Sequence, residues 1–123
     1  MELLAIIFVL IVAFEHIYIM LLEMFFSTSR TAQKAFGVTK DVLEIPKVKI
    51  LFANQGLYNG FLAAGLIWGL FFVPDSSKIM IQLFFLICVI IASIFGALTA
   101  NKGIFIKQGT PAILAVIIIL FSK

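Results

Sequence analysis

Three ionisable residues, Glu15, His16 and Glu23, stand inside a stretch that is otherwise almost wholly apolar from Leu3 to Phe26. Carboxyl and imidazole groups hold and release protons, so this set is suited to proton-coupled transport or to general acid–base chemistry. A helix of that length spans the ~30 Å hydrocarbon core of a bilayer. An ionisable side chain at mid-depth costs about 3 kcal/mol on insertion scales, so it is tolerated where it faces protein or water and finds a partner. At about 100° per residue, His16 lies about 100° and Glu23 about 80° around the helix from Glu15, so all three share one arc. Burial favours the neutral form of either group type, and a mutual ion pair favours the charged forms.

The second apolar stretch carries a complementary polar set in Asn54-Gln55-Gly56-Leu57-Tyr58-Asn59-Gly60. Gln55, Tyr58, Asn59 and Leu62 follow i, i+3, i+4, i+7 spacing and share a helical face. Asn59 and Glu15 lie at equal depth, roughly 16 Å from the same membrane edge, if the two helices are antiparallel. Amides can donate to a carboxylate and accept from an imidazole. The two faces are therefore expected to meet, with Gln55 or Asn59 in reach of Glu15, His16 or Glu23. The fourth stretch adds Lys107 and Gln108-Gly109-Thr110-Pro111. Phe52-x-x-Gln55-Gly56 and Phe105-x-x-Gln108-Gly109 repeat one spacing, a pattern that a two-helix duplication and chance in a Gly-rich apolar background both produce.

These residues need elements to hold them. The chain is 63% hydrophobic and 12% charged, with mean hydropathy +1.23, too little polar surface for a soluble domain of 123 residues. The expected architecture is all-α: a polytopic membrane protein with a four-transmembrane-helix bundle. It forms a single transmembrane domain over 1–123, with helices at about 3–26, 48–72, 78–98 and 104–121. Val73-Pro74-Asp75-Ser76-Ser77 and Thr99–Gly103 read as turns, and Pro111 removes a backbone bond inside the fourth helix and is expected to bend it. Gly56-x3-Gly60-x3-Ala64, Gly65-x3-Gly69 and Ala92-x3-Gly96 read as close-packing faces. Cys88 has no partner for an intrachain disulfide.

Between the first two helices, Thr28 or Ser29 can cap a short helix ending near Phe36, with Gly37 as its stop. A further turn precedes Pro46. Phe36, Val38, Val42, Leu43 and Ile45 would make this an interfacial segment resting on headgroups. Basic residues set the orientation. Arg30, Lys34, Lys40, Lys47, Lys49, Lys102 and Lys107 fall on one side, and Lys78 and Lys123 on the other. This bias places both termini outside the cytoplasm, an N-out/C-out topology. The same distribution, in short loops flanking apolar helices, makes the lipid bilayer the partner and argues against nucleic acid. The N-terminus lacks a basic n-region and reads as a retained helix.

His16-x-Tyr18-Ile19-x-x-Leu22-Glu23-Met24-Phe25, Phe36-Gly37, the run from Asn54 to Gly65, and Gln108-Gly109-x-Pro111-Ala112 together resemble a family of small bacterial integral membrane proteins catalogued as domain of unknown function 1304. The resemblance covers nearly the whole chain. It implies four transmembrane helices and no particular activity. It draws attention to His16, Glu23, Asn54, Gln55, Tyr58, Asn59 and Gln108, with Glu15 less clearly part of the pattern.

The leading functional reading is small-molecule or proton-coupled transport, or ligand binding, in the cell membrane. Its site would comprise Glu15, His16, Glu23, Asn54, Gln55, Tyr58, Asn59 and Gln108. His16 and Glu23 would form its ionisable centre. No cofactor motif is present, and one His without a second His or Cys is a poor zinc set. Small multidrug exporters share the size and a helix-one Glu, but their helix-one motif is absent here, and the charge bias favours a parallel homo-oligomer over dual topology. Below that reading stands a membrane-embedded isomerase moving a proton on an apolar lipid. Below that again is an accessory bundle in which the polar groups only glue helices together.

Overall fold

The computed structural model describes residues 2–122, and among them no strand occurs. The helices are α1 (Leu3–Phe25), α2 (Arg30–Phe36), α3 (Lys40–Leu43), α4 (Pro46–Phe71) and α5 (Asp75–Thr99), then a π-helical stretch (Phe105–Gly109) that runs directly into α6 (Thr110–Phe121). By length and composition α1, α4 and α5 can each cross a bilayer, whereas Phe105–Phe121 is a shorter apolar rod. Outward-facing positions such as Phe14, Phe61, Phe84 and Ile91 are more than half exposed, the inverse of a water-facing surface.

Several boundaries differ from the sequence reading. α4 starts at Pro46, because a first-turn proline gives up a hydrogen bond the helix does not use. α5 starts at Asp75, so Asp75, Ser76 and Ser77 are helical and only Phe72–Pro74 turn. Asp75 there accepts a 2.9 Å ion pair from Lys78 one turn on. Pro111 does not break the last rod. The turn ahead of it is widened, and the Thr110 N–H reaches back five residues to the Phe105 carbonyl. A π-turn makes room where the proline ring would strike the carbonyl four residues earlier.

The connector follows its caps. The Ser29 hydroxyl accepts from the Ala32 N–H, and Gly37 takes the left-handed conformation (φ 66°) that ends α2. Phe36 stacks on Phe52 of α4 with ring centroids 5.0 Å apart, which ties α2 to the bundle. Leu43 is fully buried, so it packs inward and is not one of the headgroup-facing residues expected of this segment. Val42 and Ile45 remain exposed.

α1 packs most extensively along α4, and α5 and the last rod complete the bundle. Glycine makes the approaches close. A Cβ on Gly56 would lie 2.8 Å from Met24 Cγ, and one on Gly60 would strike Met20, so the Gly56/Gly60 face receives α1. A Cβ on Gly65 would enter the Phe85 ring, and one on Gly69 would come within 2.8 Å of Ile81, so the Gly65/Gly69 face receives α5. Ala64 is exposed and lies outside both seams, contrary to the expected stripe. The apolar core is built from Ala5, Val9, Val12 and Ala13 of α1, Leu66 and Leu70 of α4, Leu86 and Val89 of α5, and Ala112, Ala115 and Ile119 of α6. It fills the end of the bundle that holds the start of α1.

Candidate functional site

The other end of the bundle is hollow. A half-open cavity of about 640 Å³ is bordered by α1, α4, α5 and the π-helical stretch, with α2 and the α5–π connector at its loop end. Glu15, Glu23, Gln55, Asn59, Lys107 and Gln108 supply most of its polar lining. Tyr18, Phe36, Tyr58 and Phe95 line it with aromatic rings.

Glu23 is the anchor. It is completely buried, and Asn59 Nδ2 donates to its Oε1. The same amide also lies 3.3 Å from the Gln55 carbonyl one turn back, which fixes its orientation on α4. Glu23 Oε2 is buried with no hydrogen-bond partner, and so is Oε1 of Glu15. Two carboxyls, each with one buried oxygen unpartnered, therefore border one cavity. They sit eight residues apart on α1, roughly 12 Å along its axis. The expected meeting of the α1 and α4 polar faces is present as the Asn59–Glu23 contact. Glycine at position 56 permits it, since a larger residue there would push into Met24 and the Glu23 Cβ.

His16 lies elsewhere. It is buried, it does not line the cavity, and its Nδ1 is 2.9 Å from the Val12 carbonyl in the preceding turn of α1. A carbonyl only accepts, so Nδ1 carries the proton and donates it within its own helix. The pairing expected of His16 and Glu23 around one site gives way to Glu15 with Glu23. Glu23 sits between the other two on the helical wheel, and the cavity opens on the Glu15 flank while the apolar core occupies the His16 flank. Asn54 is exposed and also outside the cavity lining, because it points away from α1 on α4. Tyr58 lines the cavity, half exposed, with its ring edge-on to Phe61 at 5.8 Å.

The lining residues outside the expected set include Tyr18, Thr31, Phe95 and Asn101. Tyr18 follows Glu15 by three residues and so shares its face, a legible signal. Thr31 lies in the short helix α2, too brief for its inward face to be read from periodicity, and Asn101 lies on the connector after α5. Lys107, read mainly as a topology-setting charge, also lines the cavity and makes no ion pair among the described residues. At the opposite end of the bundle, buried Gln82 donates to the Gly69 carbonyl at 3.1 Å and leaves Oε1 without a partner. A lone Gln in the apolar run of α5 was the available signal. Among the described residues, no three His, Cys, Asp or Glu side chains group as metal ligands would.

A family model described as "Protein of unknown function (DUF1304)" matches residues 10–120, a span that contains every polar residue lining the cavity. The chain belongs to the DUF1304 family. It is 44% identical over 117 residues to "Uncharacterized protein YpaA" of Lactococcus lactis subsp. lactis (strain IL1403), covering 95% of this chain and 97% of that one. The membership resemblance drawn from His16 through Ala112 is therefore shown, and the family's description assigns no activity. No solved structure matches the chain.

Proposed function

We propose that this DUF1304 protein is a four-span membrane protein that binds a small molecule in its Glu15/Glu23 cavity and couples that binding to proton movement. The observation that carries the reading is the pair of buried carboxyl oxygens without a hydrogen-bond partner, Glu15 Oε1 and Glu23 Oε2, on two residues that border one 640 Å³ space. Groups that only glued helices together would be expected to satisfy each other, since an unpaired buried acceptor costs about 1–3 kcal/mol. Isomerase chemistry is less well supported, because the imidazole that would share the proton transfer is turned into the core.

In this reading the rod Phe105–Phe121 is the fourth span and both termini lie outside the cytoplasm of a bacterial plasma membrane. The basic loops then place the cavity's loop end on the cytoplasmic side. Lys123, one of the two basic residues counted on the outer side, lies outside the described residues. Copies of the chain would assemble in parallel, since one orientation is preferred.

Proteoliposomes loaded with a pH-sensitive dye test the coupling. An imposed pH gradient should collapse through the wild-type protein and at least tenfold more slowly through Glu23→Gln or Glu15→Gln, with insertion unchanged. His16→Gln should lower thermal stability before it lowers flux. Flux that is indifferent to both glutamates would overturn the reading.

A further inference from the structure

The chemistry of the cavity selects among ligands, and this step rests on the binding reading above. Its fixed charges are two carboxyls and one ammonium, Glu15, Glu23 and Lys107. With all three ionised the space carries one net negative charge in a low-dielectric surround, where an unpaired charge is costly. The orphan atoms are both acceptors, Glu15 Oε1 and Glu23 Oε2. The lining also holds donors, Lys107, the Gln55 and Gln108 amides and the two tyrosine hydroxyls, but only one of them is charged against two carboxyls, and the Asn59 amide is already committed to Glu23 and to the Gln55 carbonyl. Aromatic rings of Tyr18, Phe36, Tyr58 and Phe95 surround the same space. Ring faces attract organic cations, most strongly where water is excluded.

We infer that the cavity binds a monovalent organic cation, an amine or quaternary ammonium with an apolar body, and that it does so in exchange for a proton on the Glu15/Glu23 pair. The charge balance is one for one: the cation enters, one carboxyl proton leaves to water, and the cavity's net charge with Lys107 is unchanged. The titratable groups facing Glu23 across the cavity are Glu15 and Tyr18 on α1, Tyr58 on α4 and Lys107 on the π-helical stretch. Of these, the two carboxyls are the groups whose proton a cation replaces, because losing it leaves an anion beside the cation. Asn59 holds Glu23 Oε1 and Oε2 has no partner; Oε2 is buried, so the cation meets it after a side-chain shift that exposes it to the cavity. Lys107 is the built-in competitor, a cation tethered to the cavity rim.

Calorimetric titration of the detergent-solubilised full-length protein tests this with three probes: benzyltrimethylammonium, its uncharged carbon isostere neopentylbenzene, and benzenesulfonate. The expected result is saturable binding of the ammonium, with proton release measured in weakly buffered solution and no saturable binding of the other two. Glu23→Gln should weaken ammonium binding at least tenfold and abolish proton release. Glu23→Asp, which keeps the charge, should restore release even where affinity falls. Lys107→Gln should tighten binding several-fold, an effect that mere loss of structure cannot imitate. Saturable, Glu23-dependent binding of benzenesulfonate or neopentylbenzene would overturn the cation assignment and leave the binding cavity standing. Absence of ammonium binding overturns it too, and if proton flux in liposomes is then also indifferent to both glutamates, the cavity reading falls with it.

Discussion

The two ends of this bundle are built from the same helices and do opposite things. At the end holding the start of α1, Val9, Val12, Leu66, Leu86 and Ala115 are essentially inaccessible and fill the space between helices. At the loop end the same α1 and α4, pressed together over Gly56 and Gly60, border a cavity with two incompletely satisfied carboxyls. The difference lies in what the fourth rod contributes. Its α6 portion sends Ala112, Ala115 and Ile119 into the core, whereas the π-helical turn sends Lys107 and Gln108 toward the cavity. Small residues hold helices close in both halves, but the apolar half leaves a smaller space, about 330 Å³ beside Ile6, Leu70, Ile79 and Gln82, against about 640 Å³ at the loop end. The apolar end leaves one buried acceptor unpaired, Gln82 Oε1, and the loop end leaves two, both on carboxyls.

Substitutions should separate the halves by the size and kind of their effect. Leu86→Ala, at a fully buried site in the sealed half, should cost the most, about 2–3 kcal/mol through the cavity it leaves. Reversible unfolding in mixed micelles measures this, and binding or flux should be unaffected at temperatures where the variant is folded. A loss of function larger than the loss of stability would dissolve the contrast.

Asn59→Leu should cost less, on the order of 1 kcal/mol, because it removes the one hydrogen bond held by a buried Glu23 oxygen. Pairing it with Glu23→Gln in a double-mutant cycle should recover much of that cost, since the contact exists only between these two side chains. Additive effects would mean that Asn59 does not hold Glu23.

The smallest effect lies outside the bundle. The hydroxyl of Thr39 beside Asp41 is the main cause holding that exposed carboxyl below its usual range. A carboxyl depressed in the folded state contributes stability above its unfolded pKa and loses it as pH falls. Thr39→Ala should move the Asp41 titration, followed by NMR, upward toward its ordinary value, and leave the cavity groups untouched. An unmoved Asp41 would show that the Thr39 contact is idle.

Much of this arrangement was readable from residue order. The long helices follow from apolar runs, α2 from Ser29 and Gly37 at its two ends, and the α1–α4 contact from matched polar faces. What could not be read is which flank of Glu23 opens. On the wheel Glu15 and His16 stand on either side of it, and both are polar. The choice is made by distant segments: side chains of α4, α5 and α6 build the apolar core with α1, while α5 and the π-helical stretch leave a cavity beside Glu15. That is a packing outcome among distant segments, and no local pattern encodes it. The π-turn was hidden for a related reason: Pro111 announces a conflict, and the chain resolves it by widening one turn.

The central claim, that one half is an accessible cation-favouring cavity and the other a sealed core, is tested most directly by thiol labelling in a Cys88→Ser background. Single cysteines at Leu62 and Ala92 report on the cavity lining, and cysteines at Ala13 and Val89 report on the core. Two water-soluble methanethiosulfonates of similar size, one carrying a quaternary ammonium and one a sulfonate, are compared at each site. The account predicts labelling at Leu62→Cys and Ala92→Cys, at least tenfold faster with the cation, with that preference lost when Glu15 and Glu23 are both Gln. Ala13→Cys and Val89→Cys should stay unlabelled. Equal rates in the two halves, or faster labelling of Ala92→Cys by the sulfonate, would contradict it.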